Sequence, residues 1–138
     1  MWIPFAILSA LSAALVAIFG KFAVVKSIDP TVATTIRAMF MAVLLLAVTL
    51  TTGKGNALFG VSNRAYPAIL ASAAAGALSW LFYFWALRFG PAGSVAAIDR
   101  LSVVFVVLLA GVFLSEGLTA QKILGALFML AGALLIAR

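Results

Sequence analysis

Five long apolar stretches dominate this sequence and restrict the chain to one class of fold. Each is long enough to cross the hydrocarbon core of a bilayer as an α-helix, which takes about 20 apolar residues. The stretches are residues 2–25, 30–51, 65–89, 92–115 and 119–137. Hydrophobic residues make up 67% of the chain, more than a soluble domain of 138 residues can bury. The sequence therefore predicts an all-α integral membrane protein with five transmembrane helices in a single domain, residues 1–138.

The composition argues against catalytic and metal chemistry. The chain has no cysteine, no histidine and three acidic residues (Asp29, Asp99 and Glu116), so we expect neither a metal site nor a cofactor. No base and nucleophile are paired in the sequence, so an enzyme is not expected. The net charge of +6 comes from cations dispersed at helix ends and loops, which is typical of membrane flanks and not of nucleic-acid binding. The first apolar stretch lacks a positively charged start, and we interpret it as a retained helix.

Four charged residues fall inside the predicted membrane helices, all towards the same side of the bilayer. Lys21 lies near the end of the first helix, Arg37 near the start of the second, and Asp99 and Arg100 near the start of the fourth. Because an unpaired charge in lipid is costly, we expect Asp99 to bond to Arg37 or Lys21. Two interpretations remain open. The group is either a structural ion pair with Lys21 extending to the headgroups, or a functional layer that serves as a gate or as an anion-attracting site.

Aromatic residues are concentrated in the second half of the third predicted helix. They are Trp80, Phe82, Tyr83, Phe84 and Trp85. One explanation is an aromatic belt at the membrane surface. The other is a pocket lined by Trp80 and Tyr83, in which a solute would also contact Ser9 and Ser12 of the first helix.

The loop cations give no clear orientation in the membrane. One side carries Lys54, Arg64 and Lys122, and the other carries Lys26, Arg88 and Arg138, with Lys21 as a borderline member. Because cytoplasmic loops normally carry the excess of Lys and Arg, this near tie predicts that copies insert both ways. Two oppositely inserted copies would form an inverted pair, the arrangement that many transporters build from internal inverted repeats.

Three stretches of the chain carry a resemblance to a known family. They are residues 86–92, 114–119 and 125–136. In this order and spacing, the chain resembles a single repeat of the EamA type in the drug/metabolite transporter superfamily. Residues 29–37, followed by residues 98–104, are similar to the small, single-repeat bacterial branch of that superfamily, and the resemblance covers essentially all five predicted helices.

The resemblance has implications for assembly and function. Family members typically have ten helices in two inverted halves, which implies that this chain pairs as an antiparallel homodimer. It also implies export or exchange of small organic metabolites or drugs across a prokaryotic inner membrane, by alternating access. Glu116 matches the family's glutamate after the fourth helix. The four-helix multidrug exporters carry a proton-handling glutamate in their first helix, and its absence here puts that coupling mechanism in doubt.

Two other functions remain open at this stage. One is a subunit of a flippase for a lipid-linked sugar or phosphate that works with a partner protein, with Arg37 and Arg100 holding the phosphate. The other is a structural membrane protein without a solute, against which the charges inside the helices argue. The expected partners are therefore a second copy of the chain, membrane lipid and a small-molecule solute.

Overall fold

The computed structural model describes residues 2–25 and 28–138, and this part of the chain forms helices without any strand. Five of its segments are long and apolar enough to cross a membrane. The segments are Ile3–Val24, Pro30–Thr51, Ala65–Phe89, Ala92–Phe113 and Ala120–Ala137. The prediction of an all-α membrane protein with five spans is therefore confirmed, and the predicted ends agree to within two residues. Lys26, one of the loop cations considered for orientation, lies outside the described residues.

Six α-helices make up these five spans in the described part of the chain. They are α1 (Ile3–Val25), α2 (Pro30–Thr51), α3 (Ala65–Phe89), α4 (Ala92–Asp99), α5 (Ser102–Phe113) and α6 (Ala120–Ala137). A short 3-10 helix, Gly55–Leu58, lies between α2 and α3.

The fourth span is not the continuous helix that the sequence predicted over residues 92–115. Arg100 and Leu101 separate α4 from α5, although their backbone angles stay in the right-handed helical region. The Leu101 N–H donates to the Ile98 carbonyl over 3.0 Å, which is the three-residue spacing of a tighter 3-10 turn. No proline or glycine lies at this point, so the apolar pattern gave no sign of the interruption.

The chain divides into two compact units, of which the first comprises Met1–Phe22 and Phe89–Arg138. In this unit α6 packs against both α4 and α5. The Ser94 hydroxyl of α4 donates to the Ile136 carbonyl of α6 over 3.2 Å. These contacts join the fourth and fifth spans into one helical layer.

The turn between α5 and α6 is tightly packed. The Cγ of Leu118 lies 2.8 Å from the position that a β-carbon on Gly111 would occupy, so only glycine fits beside this leucine without a shift. The Glu116 carboxylate lies 3.5 Å from the Lys122 ammonium. The Thr119 hydroxyl accepts the Lys122 N–H over 3.3 Å and caps the start of α6.

The second unit, Ala23–Arg88, contains α2 and α3. Asp29 and Pro30 fix the start of α2, because the Asp29 carboxylate accepts the Thr31 N–H over 2.8 Å and Pro30 occupies the first turn. The same carboxylate lies 3.9 Å from the guanidinium of Arg88, in the last turn of α3. The start of α2 is thus linked to the end of α3.

Candidate binding groove

A positively charged side chain of the second unit lies inside a membrane span. Arg37 follows the start of α2 by seven residues, which places it about 10 Å along the helix. Its Cζ atom lies 3.7 Å from the centre of the Trp80 ring on α3 and 6.0 Å from that of Phe84. Such a cation–π contact contributes about 0.5–2 kcal/mol, depending on how well water is excluded. Within the second unit, therefore, Arg37 is held by an aromatic face.

Edge-to-face packing fixes the Trp80 ring. Its centroid lies 5.5 Å from that of Tyr83 and 6.3 Å from that of Phe84, at interplanar angles of 79° and 63°. Tyr83 and Phe84 are buried, at 9% and 3% exposure. Trp80 itself is half-buried and lines a groove.

A groove of about 620 Å³ runs between α2 and α3, which is within the range typical of small-molecule pockets. On α2 it is lined by Thr31, Thr34, Thr35, Arg37, Ala38, Met41, Ala42 and Leu45. On α3 it is lined by Ala73, Gly76, Ala77, Trp80 and Leu81. The spacing of three and four residues puts each set on one helix face. The small residues of α3 leave the space, since a β-carbon added at Gly76 would meet nothing within 4 Å.

The groove is polar at one end and apolar at the other. Next to Arg37, the Thr34 hydroxyl donates to the Pro30 carbonyl and the Thr35 hydroxyl donates to the Thr31 carbonyl, each over 2.8 Å. These bonds use the hydroxyl hydrogens within α2 and leave polar oxygens on the helix surface. Beyond Arg37 the lining continues with alanine, methionine and leucine side chains. The groove therefore suits a molecule that has one polar end and one apolar end.

The four residues predicted to contact a solute belong to different units of the chain. Trp80 lines the groove, whereas Tyr83 packs behind it and is not part of the lining. Ser9 and Ser12 belong to the other unit, where both are exposed and the Ser12 hydroxyl donates to the Leu8 carbonyl of its own helix. The predicted role of the two serines in solute contact stays a prediction.

The predicted charge layer is also divided between the two units. In the first unit, the Lys21 ammonium donates to the Gly90 carbonyl over 2.8 Å, just beyond the end of α3. Asp99 is half-exposed at the end of α4, and Arg100 is exposed. Among the described residues of this unit, Glu116 and Lys122 form an ion pair at 3.5 Å. The expected pairing of Asp99 with Arg37 or Lys21 stays a prediction.

The threonines and the small residues of the groove were not predicted as site residues. Thr31, Thr34 and Thr35 share one face of α2, and Ala73, Gly76 and Ala77 are small side chains on the face of α3 that lines the groove. Spacing of three and four residues was the signal available for both sets. It was ambiguous, because small residues at that spacing also mark simple helix packing in membranes.

The chain has five membrane spans, and one pair of them encloses a cation and a groove of small-molecule size. These are features of a multi-pass membrane transport protein. The model of the EamA-like transporter family matches residues 1–138, and the chain belongs to this family. A protein of Sinorhizobium sp called "Uncharacterized transporter in cobO 3'region" is 38% identical over 136 residues, covering 99% of this chain and 96% of that protein. No solved structure gives a significant match. The resemblance to an EamA-type repeat is thus confirmed, and the protein is a membrane transporter of the drug/metabolite transporter type.

Proposed function

We propose that the protein exports or exchanges small organic metabolites or drugs across a prokaryotic inner membrane. The observation that carries this proposal is the groove between α2 and α3, which combines a small-molecule volume with an arginine inside a membrane span. Ionisable side chains at such depth commonly mark a solute or ion pathway. The bacterial source of the matched relative supports the choice of membrane.

The proposed transporter is an antiparallel homodimer. An odd number of spans puts the two ends of the described chain on opposite sides of the membrane, and the loop cations give neither side a clear excess. The alignment with the Sinorhizobium relative covers nearly all of both chains, so that protein has the same single-repeat length. An inverted second copy would supply the two-fold related half that transporters of this design place around a central solute site.

Alternating access in this dimer would depend on the charge layer. Lys21, Arg37, Asp99 and Arg100 of each copy would form a layer near one membrane face, and inversion would place the second copy's layer near the other face. Asp99 and Arg100 adjoin the interruption between α4 and α5, where a 3-10 turn offers a point for bending. Opening one layer while the other stays closed would move the solute across.

Exchange in liposomes tests this proposal. The purified protein is reconstituted with three radiolabelled aromatic probes of different charge: benzenesulfonate, phenylalanine and benzyltrimethylammonium. We expect at least one probe to exchange faster than in protein-free liposomes, and Asp99→Asn to reduce that exchange to the protein-free rate without changing thermal unfolding. Asp29→Asn is the matched control, since it removes the same charge outside the layer and keeps a capping side chain. A folded protein that exchanges none of the probes would contradict transport, and full exchange by Asp99→Asn would contradict the gate.

A further inference from the structure

We infer that the groove between α2 and α3 binds an organic anion that carries an apolar ring or chain, with Arg37 binding the anionic group. This inference names the solute class and rests on the proposed transport function. It follows from the hydrogen-bonding capacity of Arg37, from the charge of the groove and from the distribution of polar side chains along it.

Among residues 2–25 and 28–138, Arg37 contacts aromatic rings and donates no hydrogen bond to an acceptor. A guanidinium carries five N–H donors in its plane. A contact with an aromatic ring does not pair these N–H groups with a carboxylate or hydroxyl oxygen. Arg37 makes that aromatic contact at 3.7 Å from the centre of Trp80. A carboxylate, sulfonate or phosphate would accept two of these N–H groups at once while the ring contact persists.

The charge of the second unit favours an anion over a cation. Asp29 is the one acidic residue between residues 23 and 88, and its carboxylate lies beside Arg88. The residues that line the groove include Arg37 and no acid, so an organic cation would meet repulsion with no compensating carboxylate. The attraction between an anion and Arg37 is strong at this depth, since hydrocarbon and protein screen charges far less than water does.

The lining indicates that the anion also has an apolar part. Thr34 and Thr35 lie within one turn of Arg37, and their hydroxyls can rotate from the backbone carbonyls to donate to an anionic group. From Arg37 to Leu45 the groove continues for eight residues of α2, or about 12 Å, with apolar side chains. A bare inorganic anion would leave this length unused, whereas an aromatic or aliphatic acid would bury its body there.

Equilibrium binding tests the charge preference directly. The purified protein is placed in phosphatidylcholine nanodiscs and titrated with radiolabelled benzenesulfonate and with benzyltrimethylammonium, which have the same ring and opposite charges. We expect saturable binding of benzenesulfonate and no saturable binding of the cation. Arg37→Gln should weaken benzenesulfonate binding at least about tenfold, and Arg37→Lys should have an intermediate effect because lysine keeps the charge but not the planar fork. Arg64→Gln, an equal loss of charge at an exposed position outside the groove, should leave the affinity unchanged.

A matched pair of threonine variants tests the polar end. The hydroxyls of Thr35 and Thr49 both donate to the carbonyl four residues earlier over 2.8 Å, but only Thr35 lines the groove. Valine has nearly the same shape and no hydroxyl. Thr35→Val should therefore weaken benzenesulfonate binding by about two- to tenfold, the value of one hydrogen bond, while Thr49→Val should not.

The outcomes separate this inference from the proposed function. Absent benzenesulfonate binding, equal binding of the cation, or an unchanged affinity in Arg37→Gln would overturn the inference. A phospholipid that native mass spectrometry finds on the wild type and not on Arg37→Gln, with no probe binding, would assign the groove to a lipid headgroup. Efficient cross-linking between copies through Ala77→Cys, again without probe binding, would assign it to the second copy. If only phenylalanine or benzyltrimethylammonium exchanged in liposomes, transport would be supported and the anion site would be contradicted. If the anion bound but no probe exchanged, the anion site would be supported and transport would be contradicted.

Discussion

Asp29 combines two stabilising contacts at the start of α2. Its carboxylate accepts the Thr31 N–H over 2.8 Å and lies 3.9 Å from the guanidinium of Arg88. The hydrogen bond from the Thr31 backbone, with smaller contributions from the Thr31 side chain and the positive charge of Arg88, lowers the pKa of the Asp29 carboxyl below its ordinary value. Folding therefore favours the ionised form of this residue.

The lowered pKa of Asp29 predicts a specific loss of stability in acid. A carboxyl with a depressed pKa in the folded state stabilises the protein above its ordinary pKa, and this contribution disappears as the pH falls through the folded-state pKa. The wild type should thus melt higher than Asp29→Asn at neutral pH, and the difference should shrink between about pH 5 and about pH 2. Thermal unfolding of both proteins in the same detergent, over a series of pH values, measures this difference in melting temperature. A difference that stays constant across this range would show that the charge of Asp29 does not contribute.

The contacts of the intramembrane cations were only partly predictable from the sequence. The positions of Arg37 and Trp80 indicated an intramembrane cation and an aromatic cluster, but not that the two meet at 3.7 Å. A carboxylate and an aromatic face can both stabilise a guanidinium in a membrane, so the sequence alone does not reveal the contact of Arg37 with Trp80. The hydrogen bond from the Lys21 ammonium to the Gly90 carbonyl likewise leaves no sign in the sequence.

At the scale of single elements, the α5–α6 turn makes a close approach that can be tested by mutation. A β-carbon on Gly111 would lie between 2.8 and 3.0 Å from three atoms of the Leu118 side chain. Gly111→Ala should therefore lower the melting temperature, because a displaced Leu118 and strain cost about 1–3 kcal/mol and outweigh the higher helix propensity of alanine.

A double-mutant cycle supplies the control for this prediction. In a Leu118→Ala background the obstructing atoms are gone, so Gly111→Ala should become neutral or stabilising through its helix propensity. Thermal unfolding of the four proteins gives the coupling between the two positions. Equal effects of Gly111→Ala in both backgrounds would show that Leu118 moves aside without cost.

The ends of some helices could be predicted from the sequence, whereas the interruption of the fourth span could not. The starts of α2 and α6 followed from Asp29, Pro30 and Thr119, whose capping bonds are local and are present in the structure. The interruption at Arg100 and Leu101 could not be predicted, because it contains no helix breaker and the apolar pattern runs through it. The backbone N–H groups in this stretch donate to carbonyls three or four residues earlier, so the change from an α-helix to a 3-10 turn involves no residue type that a sequence pattern would reveal.

At the scale of the whole molecule, membrane insertion explains why the five spans were predictable. Each span is fixed by the hydrophobicity of about 20 consecutive residues, which is a local and additive property. The groove depends instead on which faces of α2 and α3 meet, and lipid-facing and helix-facing residues are equally apolar in a membrane protein. The number of spans and the family were therefore predictable from the sequence, whereas the groove required the structure.

We propose that copies of the chain insert in both orientations and pair antiparallel. The chain has no cysteine, so single cysteines report cleanly at Asn56→Cys, exposed in the loop after α2, and at a cysteine appended after Arg138. These two positions are on opposite sides of the membrane in any one copy of a five-span chain.

Labelling intact cells with a membrane-impermeant maleimide, before and after permeabilisation, is the most direct test. Antiparallel pairing predicts that each cysteine is labelled from outside in about half of the copies, since the loop cations favour neither orientation. Complete labelling of one cysteine and none of the other would contradict the antiparallel homodimer.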